Sequence, residues 1–166
     1  MRPSALNALA ALASTAITAM LTACAAPSTN LPPRATTATV DPPATLIGTQ
    51  WQLVALQSMD DAQGTTRPAD PAAYTLHLGP DGRATLRVDC NRAMGTWQAT
   101  AGADGRSGAL QFGPLAGTRA MCPPDSLAPR LMRELPFVRS YLMRDGQLHL
   151  SLMADGGILS WMPAPR

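Results

Sequence analysis

The stretch Tyr74-Thr75-Leu76-His77-Leu78-Gly79-Pro80-Asp81-Gly82-Arg83-Ala84-Thr85-Leu86-Arg87-Val88 decides the fold. Tyr74, Leu76 and Leu78 alternate with Thr75 and His77. After a Pro-Asp-Gly break, Ala84, Leu86 and Val88 alternate with Arg83, Thr85 and Arg87. An apolar residue at every second position sets one face of a strand against a core and the other in water, the pattern of half-buried antiparallel strands. Asp81-Gly82 joins the two as a hairpin, because Gly takes a positive φ without a Cβ clash. The same period returns on both sides. Trp51, Leu53 and Ala55 alternate with Gln52, Val54 and Leu56. Leu148, Leu150 and Leu152 alternate with Gln147, His149 and Ser151, and Leu159 and Trp161 with Ile158, Ser160 and Met162. Asp145-Gly146 and Asp155-Gly156-Gly157 punctuate a closing meander of three strands, near 138–143, 147–153 and 158–162.

One segment departs from this period. Leu127, Leu131 and Leu135 recur at spacing four with Arg130, Arg133 and Glu134 between them, which predicts a short amphipathic helix near residues 126–135. With Ser126 as N-cap, Pro129 is the third helical residue, where its missing N–H costs no bond. Pro136 ends the helix, since the residue before a proline avoids the α region. Seven or eight strands and one helix in roughly 120 residues predict a mainly β fold. Its form is a small antiparallel β-barrel or strongly curled sheet, with the helix over one opening.

Composition narrows the chemistry. All 13 basic residues are Arg, and the 11 acids are ten Asp and Glu134. Without Lys there is no P-loop, no Ser-Lys dyad, no Schiff base and no protein kinase. His77 and His149 alone leave little for a zinc site or a His-based triad, so we expect no enzyme, no metal and no cofactor. A net charge of +2 is too small to argue for nucleic acid. The 166 residues hold one domain with extensions.

The extensions lie at the start. Arg2 precedes an uncharged, largely apolar run from Ala5 to Leu21, the n-region and h-region of a secretory signal. Leu21-Thr22-Ala23-Cys24 then resembles the lipobox of bacterial lipoproteins, in which cleavage before the Cys leaves its thiol to carry a diacylglycerol. An ordinary cleaved signal with a chance Cys is the alternative. A spanning helix fits less well, because the run is Ala/Thr-rich and has no charged stop-transfer flank. We therefore expect a signal peptide over 1–23, a lipidated Cys24 with a Pro/Thr-rich linker over 24–45, and a folded domain over 46–163. The linker has no apolar period and cannot pack a core. Ala25 and Ala26 after the Cys, in place of Asp, favour the outer membrane, facing the periplasm.

Cys90 and Cys122 are the remaining thiols. In an oxidising compartment an even pair is most simply a disulfide. Two free, redox-active thiols are an alternative, and so is a metal pair, although the latter would need ligands this chain hardly has.

Leu46-Ile47-Gly48-Thr49-Gln50-Trp51-Gln52-Leu53-Val54 resembles the opening of the META domain, the family of the bacterial heat-shock protein HslJ. Asp81-Gly82-Arg83, Asp89-Cys90-Asn91, Gly95-Thr96-Trp97, the 110–116 run and Thr118-Arg119-Ala120-Met121-Cys122 are similar to that family's successive motifs, covering about Leu46 to Met162. The resemblance implies a small barrel of lipocalin-like topology with one helix, and a pairing of Cys90 with Cys122. It implies no established reaction; members are linked broadly to envelope stress, drug tolerance and motility or virulence. This chain departs at Asp89, where the family favours Gly, and at Trp97, where it favours Tyr.

Taken one by one, the remaining candidate side chains read mainly as structural. His77 and His149 fall on the outward phase of their strands. Trp51, Trp97 and Trp161 read as core anchors rather than as the lining of a ligand cavity. Asn91 is expected to hold local backbone in a turn. Arg119 is expected to hold loop carbonyls or pair with an Asp such as Asp89, or else to meet an anionic ligand. Asp104-Gly105-Arg106-Ser107-Gly108 reads as a turn without the acidic ladder of a calcium loop.

The expected function is a non-enzymatic lipoprotein in envelope maintenance or stress and drug tolerance. Its membrane contact is the lipid anchor, and a monomer is expected. The alternative is a binding module, either an inhibitor of a lysozyme-type hydrolase or a carrier of a small apolar ligand, with an envelope protein or that ligand as partner. Cys24→Ala should leave an unacylated, uncleaved or mislocalised precursor. Intact mass of the mature N-terminus checks this, and a soluble product that begins elsewhere than at Cys24 would remove the anchor.

Overall fold

The computed structural model describes residues 46–165. The expected signal peptide, Cys24 and the linker lie outside the described residues. The strands are β1 (Thr49–Gln57), β2 (Thr65–Thr66), β3 (Tyr74–Leu78), β4 (Arg83–Val88), β5 (Asn91–Ala101), β6 (Ser107–Phe112), β7 (Ala116–Gly117), β8 (Val138–Arg144), β9 (Gln147–Leu152) and β10 (Ile158–Pro163). A single α-helix, α1 (Ala128–Glu134), lies between β7 and β8 and runs on into a 3-10 turn at Leu135–Phe137.

All pairings are antiparallel, in the order β10-β9-β8-β6-β5-β4-β3-β1, and β1 also pairs with β10. The result is a closed eight-stranded barrel with one short helix. The short β2 and β7 sit outside that circuit, on β1 and β5. Closure removes the open edges that an unclosed sheet would expose.

The inward phase of the strands fills the barrel. Leu53, Leu76, Leu78, Leu148, Leu150, Leu159 and Trp161 have no exposed surface, and Leu110 and Val88 almost none. Trp51 and Trp97 are buried with them. The three tryptophans are thus core anchors, as expected. Trp51 Nε1 donates to Thr49 Oγ1 at 2.7 Å and Trp97 Nε1 to Gly79 O at 3.1 Å. Trp161 Nε1 is buried with no partner among the described residues.

Strict alternation fails on β1. It assigns Leu56 to the outer face with Gln52 and Val54, yet Leu56 is fully buried. The register explains this: Leu53 opposes Trp161, Leu56 opposes Leu159, and the pairing shifts between Leu53 and Ala55. Three residues on β1 match two on β10, so a bulge turns the remainder of β1 over. A similar shift between Val138 and Ser140 on β8 lets both Val138 and Tyr141 face inward.

Leu131 and Leu135 are fully buried in the same core as Tyr74 and Val88, so the helix seals the barrel end where β3 begins and β4 finishes. Its start differs from expectation. Leu127, not Ser126, is the N-cap residue, and Pro129 lies one position earlier in the helix. The reason is Tyr74, whose hydroxyl accepts from Leu127 N at 2.9 Å and holds that residue outside the helix. Ser126 Oγ still accepts from Ala128 N at 3.2 Å. Arg130 bridges to Glu134 at 2.7 Å and donates to Thr66 Oγ1, so Glu134 serves as a structural acceptor.

The turns obey their φ requirements. Asp145 and Gly146 have φ of 52° and 73°, the paired positive values of a type I′ hairpin. Asp89, where the family favours Gly, has φ 60° in the two-residue turn from β4 to β5. The left-handed region disfavours a Cβ, and Asp tolerates it better than most residues. Asp89→Gly should therefore raise stability, and Asp89→Val lower it, each by about 1 kcal/mol. Urea unfolding of both variants checks the sign.

Candidate functional site

The chain leaves the barrel between β6 and β8 and returns across β5 before entering α1. Two features hold that return in place. The first is Gly95: a Cβ there would stand 2.6 Å from Pro114 O and 2.7 Å from Leu115 Cδ2, so only Gly lets the backbone cross so closely. The second is β7, whose Gly117 and Ala116 pair with Ala93 and Met94.

Beyond β7 a clamp forms. Cys90 and Cys122 are joined in a disulfide with Cα atoms 5.5 Å apart. Asn91, beside Cys90, is the one buried polar side chain among the described residues. Its Oδ1 accepts from Ala120 N at 2.7 Å and Thr118 Oγ1 at 2.8 Å, while its Nδ2 donates to Ala120 O at 3.0 Å and lies 3.1 Å from Cys122 Sγ. Thr118 replies from just beyond β7: its Oγ1 accepts from Arg92 N at 3.1 Å and its N–H donates to Arg92 O at 2.9 Å. The expectation that Asn91 holds local backbone is therefore corrected. Apart from a 3.4 Å contact of its Nδ2 with the neighbouring Cys90 Sγ, its partners lie 27 to 31 residues away, because its own turn, Asp89-Cys90, already closes with a Val88–Asn91 strand pair.

Clamp, β5 and α1 enclose an open groove of about 840 Å³. Leu115, Met132, Pro123 and Pro124 give it apolar walls, and Arg92 and Arg119 give it positive charge. Met121, also in the lining, is 99% exposed. The Arg119 side chain is exposed and makes neither hydrogen bond nor ion pair among the described residues. The structural role expected for it, on loop carbonyls or on Asp89, is not seen, because the loop backbone that it was to hold is held by Asn91 instead.

The remaining residues stay apart from the groove. His77 and His149 face outward at intermediate exposure, and His149 Nδ1 lies 3.0 Å from Ser160 Oγ on the neighbouring strand. Asp104 closes the turn between β5 and β6. The Ser107 N–H, the Ser107 hydroxyl and the Arg106 N–H all donate to it and hold its carboxyl below the usual carboxylate range. Another depression, of about 330 Å³, is lined by Leu46, Ile47, Pro80, Trp97 and Tyr141. Burial pushes the Tyr141 hydroxyl pKa up, and the charge of Asp104 adds to the effect. Among the described residues no group of three or more His, Cys, Asp and Glu could hold a metal ion.

Fold and clamp together define a small closed barrel with a filled interior and a disulfide-pinned groove at one end. The META domain profile matches residues 44–165, and the chain belongs to the META domain family. Among curated proteins, none matches. The NMR structure of a protein from Burkholderia xenovorans is similar at 29% identity and a TM-score of 0.56, covering 73% of this chain and 85% of that one. The crystal structure of a DUF4847 family protein from Bacteroides vulgatus matches at 14% identity and a TM-score of 0.44, over 69% of this chain and 92% of that one.

Asn91 and the disulfide restrain the same segment, so their effects should not add. Asn91→Leu, which strands the Ala120 N–H and the Thr118 hydroxyl, should cost about 2–3 kcal/mol. Reduction of the disulfide should cost about 2–5 kcal/mol. Thermal melts of both proteins with and without reductant check the values. Reduction of the Asn91→Leu variant should cost less than reduction of the wild type.

Proposed function

We propose that this chain is a lipid-anchored, non-enzymatic protein of the bacterial envelope, held at the outer membrane and facing the periplasm. Its META domain works there as a surface-binding module in envelope maintenance or stress and drug tolerance. The observation that carries this reading is the filled barrel. Leu53, Leu56, Leu76, Leu78, Leu148, Leu150, Leu159 and Trp161, with no exposed surface, occupy the interior where a carrier of this shape would hold its cargo. Recognition then falls to the outside. The groove beside the disulfide is the surface with a fixed shape, because Asn91 and Cys90–Cys122 order its wall before anything binds. The lipobox-like Leu21-Thr22-Ala23-Cys24 supports the anchor, and the proline-rich composition of the segment that follows supports a tether between anchor and domain.

Deletion and complementation test the reading. Cells that lack the protein should become more sensitive to detergent and to bulky antibiotics. The wild type should restore tolerance, while Cys24→Ala and Arg119→Glu should not, at equal protein levels. Full rescue by Cys24→Ala would remove the anchor from the function, full rescue by Arg119→Glu would remove the groove, and an unchanged deletion strain would remove the envelope role.

A further inference from the structure

The arginines of the barrel are mostly answered from within. Arg83 faces Asp81, Arg130 faces Glu134 and Arg144 faces Asp145. Arg87 and Arg139 donate to backbone carbonyls. Among the described residues Arg67, Arg92, Arg119 and Arg133 have no such partner, and of these four only Arg92 and Arg119 share a groove. The side chains of Arg92 and Arg119 are exposed, and neither makes an ion pair or a side-chain hydrogen bond among the described residues. No Asp or Glu lines the groove.

Asn91, Thr118 and Ser126 add polar groups, and the larger apolar residues of the lining are of two kinds. Pro123 and Pro124 make a stiff rim, while Leu115, Met121 and Met132 make an adaptable wall. A guanidinium matches the planar oxygens of a carboxylate or phosphate in a fork. At about 840 Å³ the groove falls within the range of small-molecule sites, and its concavity suits a chain better than a flat protein face. We propose that this groove binds a single-chain anionic amphiphile as a monomer. Its phosphate or carboxylate head meets Arg92 and Arg119, and its apolar body lies along Leu115, Met121 and Met132. This assigns a ligand class to the groove and rests on the groove being the working surface.

The test uses the chain from residue 24 with Cys24→Ser, so that no acyl group of its own competes. The closed barrel, its core and its disulfide all lie within 46–165. Isotope-labelled protein is titrated with dodecyl phosphate below its micelle concentration. Shifts should map to residues 88–92 and 115–132. Arg119→Glu should weaken binding at least about tenfold, a loss of about 1.4 kcal/mol. Arg119→Lys should weaken it less, and the melting temperature of either variant should stay unchanged. Dodecyltrimethylammonium should not shift the same residues.

Equal binding of the cationic and anionic amphiphiles would overturn the proposal. So would binding of inorganic phosphate as tight as that of dodecyl phosphate, or a response to phosphatidylglycerol vesicles alone. If dodecyl phosphate fails to bind while Arg119→Glu still abolishes complementation, the ligand class is wrong and the surface stands. If it binds as expected while Arg119→Glu complements fully, the site is upheld and only its cellular role falls.

Discussion

A curled eight-stranded sheet buries its apolar face completely only if its first and last strands meet, and in this chain they meet across six residue pairs, from Trp51–Pro163 to Gln57–Ile158. These partners lie about a hundred residues apart, so the seam is the longest-range contact of the barrel and the one with the greatest loop-closure cost. The seam also carries the bulge. Without the extra residue at Val54, either Leu53 or Leu56 would point to solvent, and the strand would lose one of its two buried leucines opposite Trp161 and Leu159. Register and core packing are therefore one constraint, met at one place.

Filling the interior has a consequence for function. Trp161, Leu148, Leu150 and their neighbours leave a ligand no room among them, which is why the proposed binding surface lies outside the barrel. Asn91 sits where this matters. It is buried, all its polar atoms are engaged, and it links the start of β5 to backbone that has just left β7. The adjacent disulfide fixes the same backbone covalently. A loop so restrained loses little freedom when a partner binds. The loop surface, by contrast, is left unsatisfied, with Arg119 and Met121 facing water.

Local signals were legible and relayed ones were not. The 74–88 hairpin, the closing meander and the leucine stripe of α1 each depend on residues a few positions apart, and periodicity read them correctly. The resemblance to META sequences and the even pair of thiols both pointed to Cys90–Cys122. Leu56 was misread because a bulge reverses phase without changing composition. Asn91 was misread because an asparagine in a turn has local partners by default, and nothing in Asp89-Cys90-Asn91 records that Thr118 and Ala120 return to it. Arg92 entered only as the far side of the groove. A side chain with no partner in its own fold leaves no pattern in the sequence, so Arg119 could not be told from an ordinary surface arginine until the loop around it was placed.

The excursion between β6 and β8 also explains how one segment serves two purposes. Its second half, α1 and the following turn, supplies Leu131 and Leu135 to the core and is bound to the barrel by burial. Its first half, from Gly113 to Asp125, adds almost nothing to the core beyond Leu115 and Cys122, and these are only partly buried. The two halves answer to different pressures. Changes in α1 strike the sealed end of the barrel, where truncating a buried leucine costs about 2–5 kcal/mol. Changes at Arg119, Ala120 or Met121 alter only what the groove presents, provided that Asn91 keeps its backbone contacts and Cys122 its bond. On the proposed reading of the groove, a scaffold divided in this way can change its ligand without renegotiating closure, and specificity is carried by the 115–124 segment rather than by the strands beneath it.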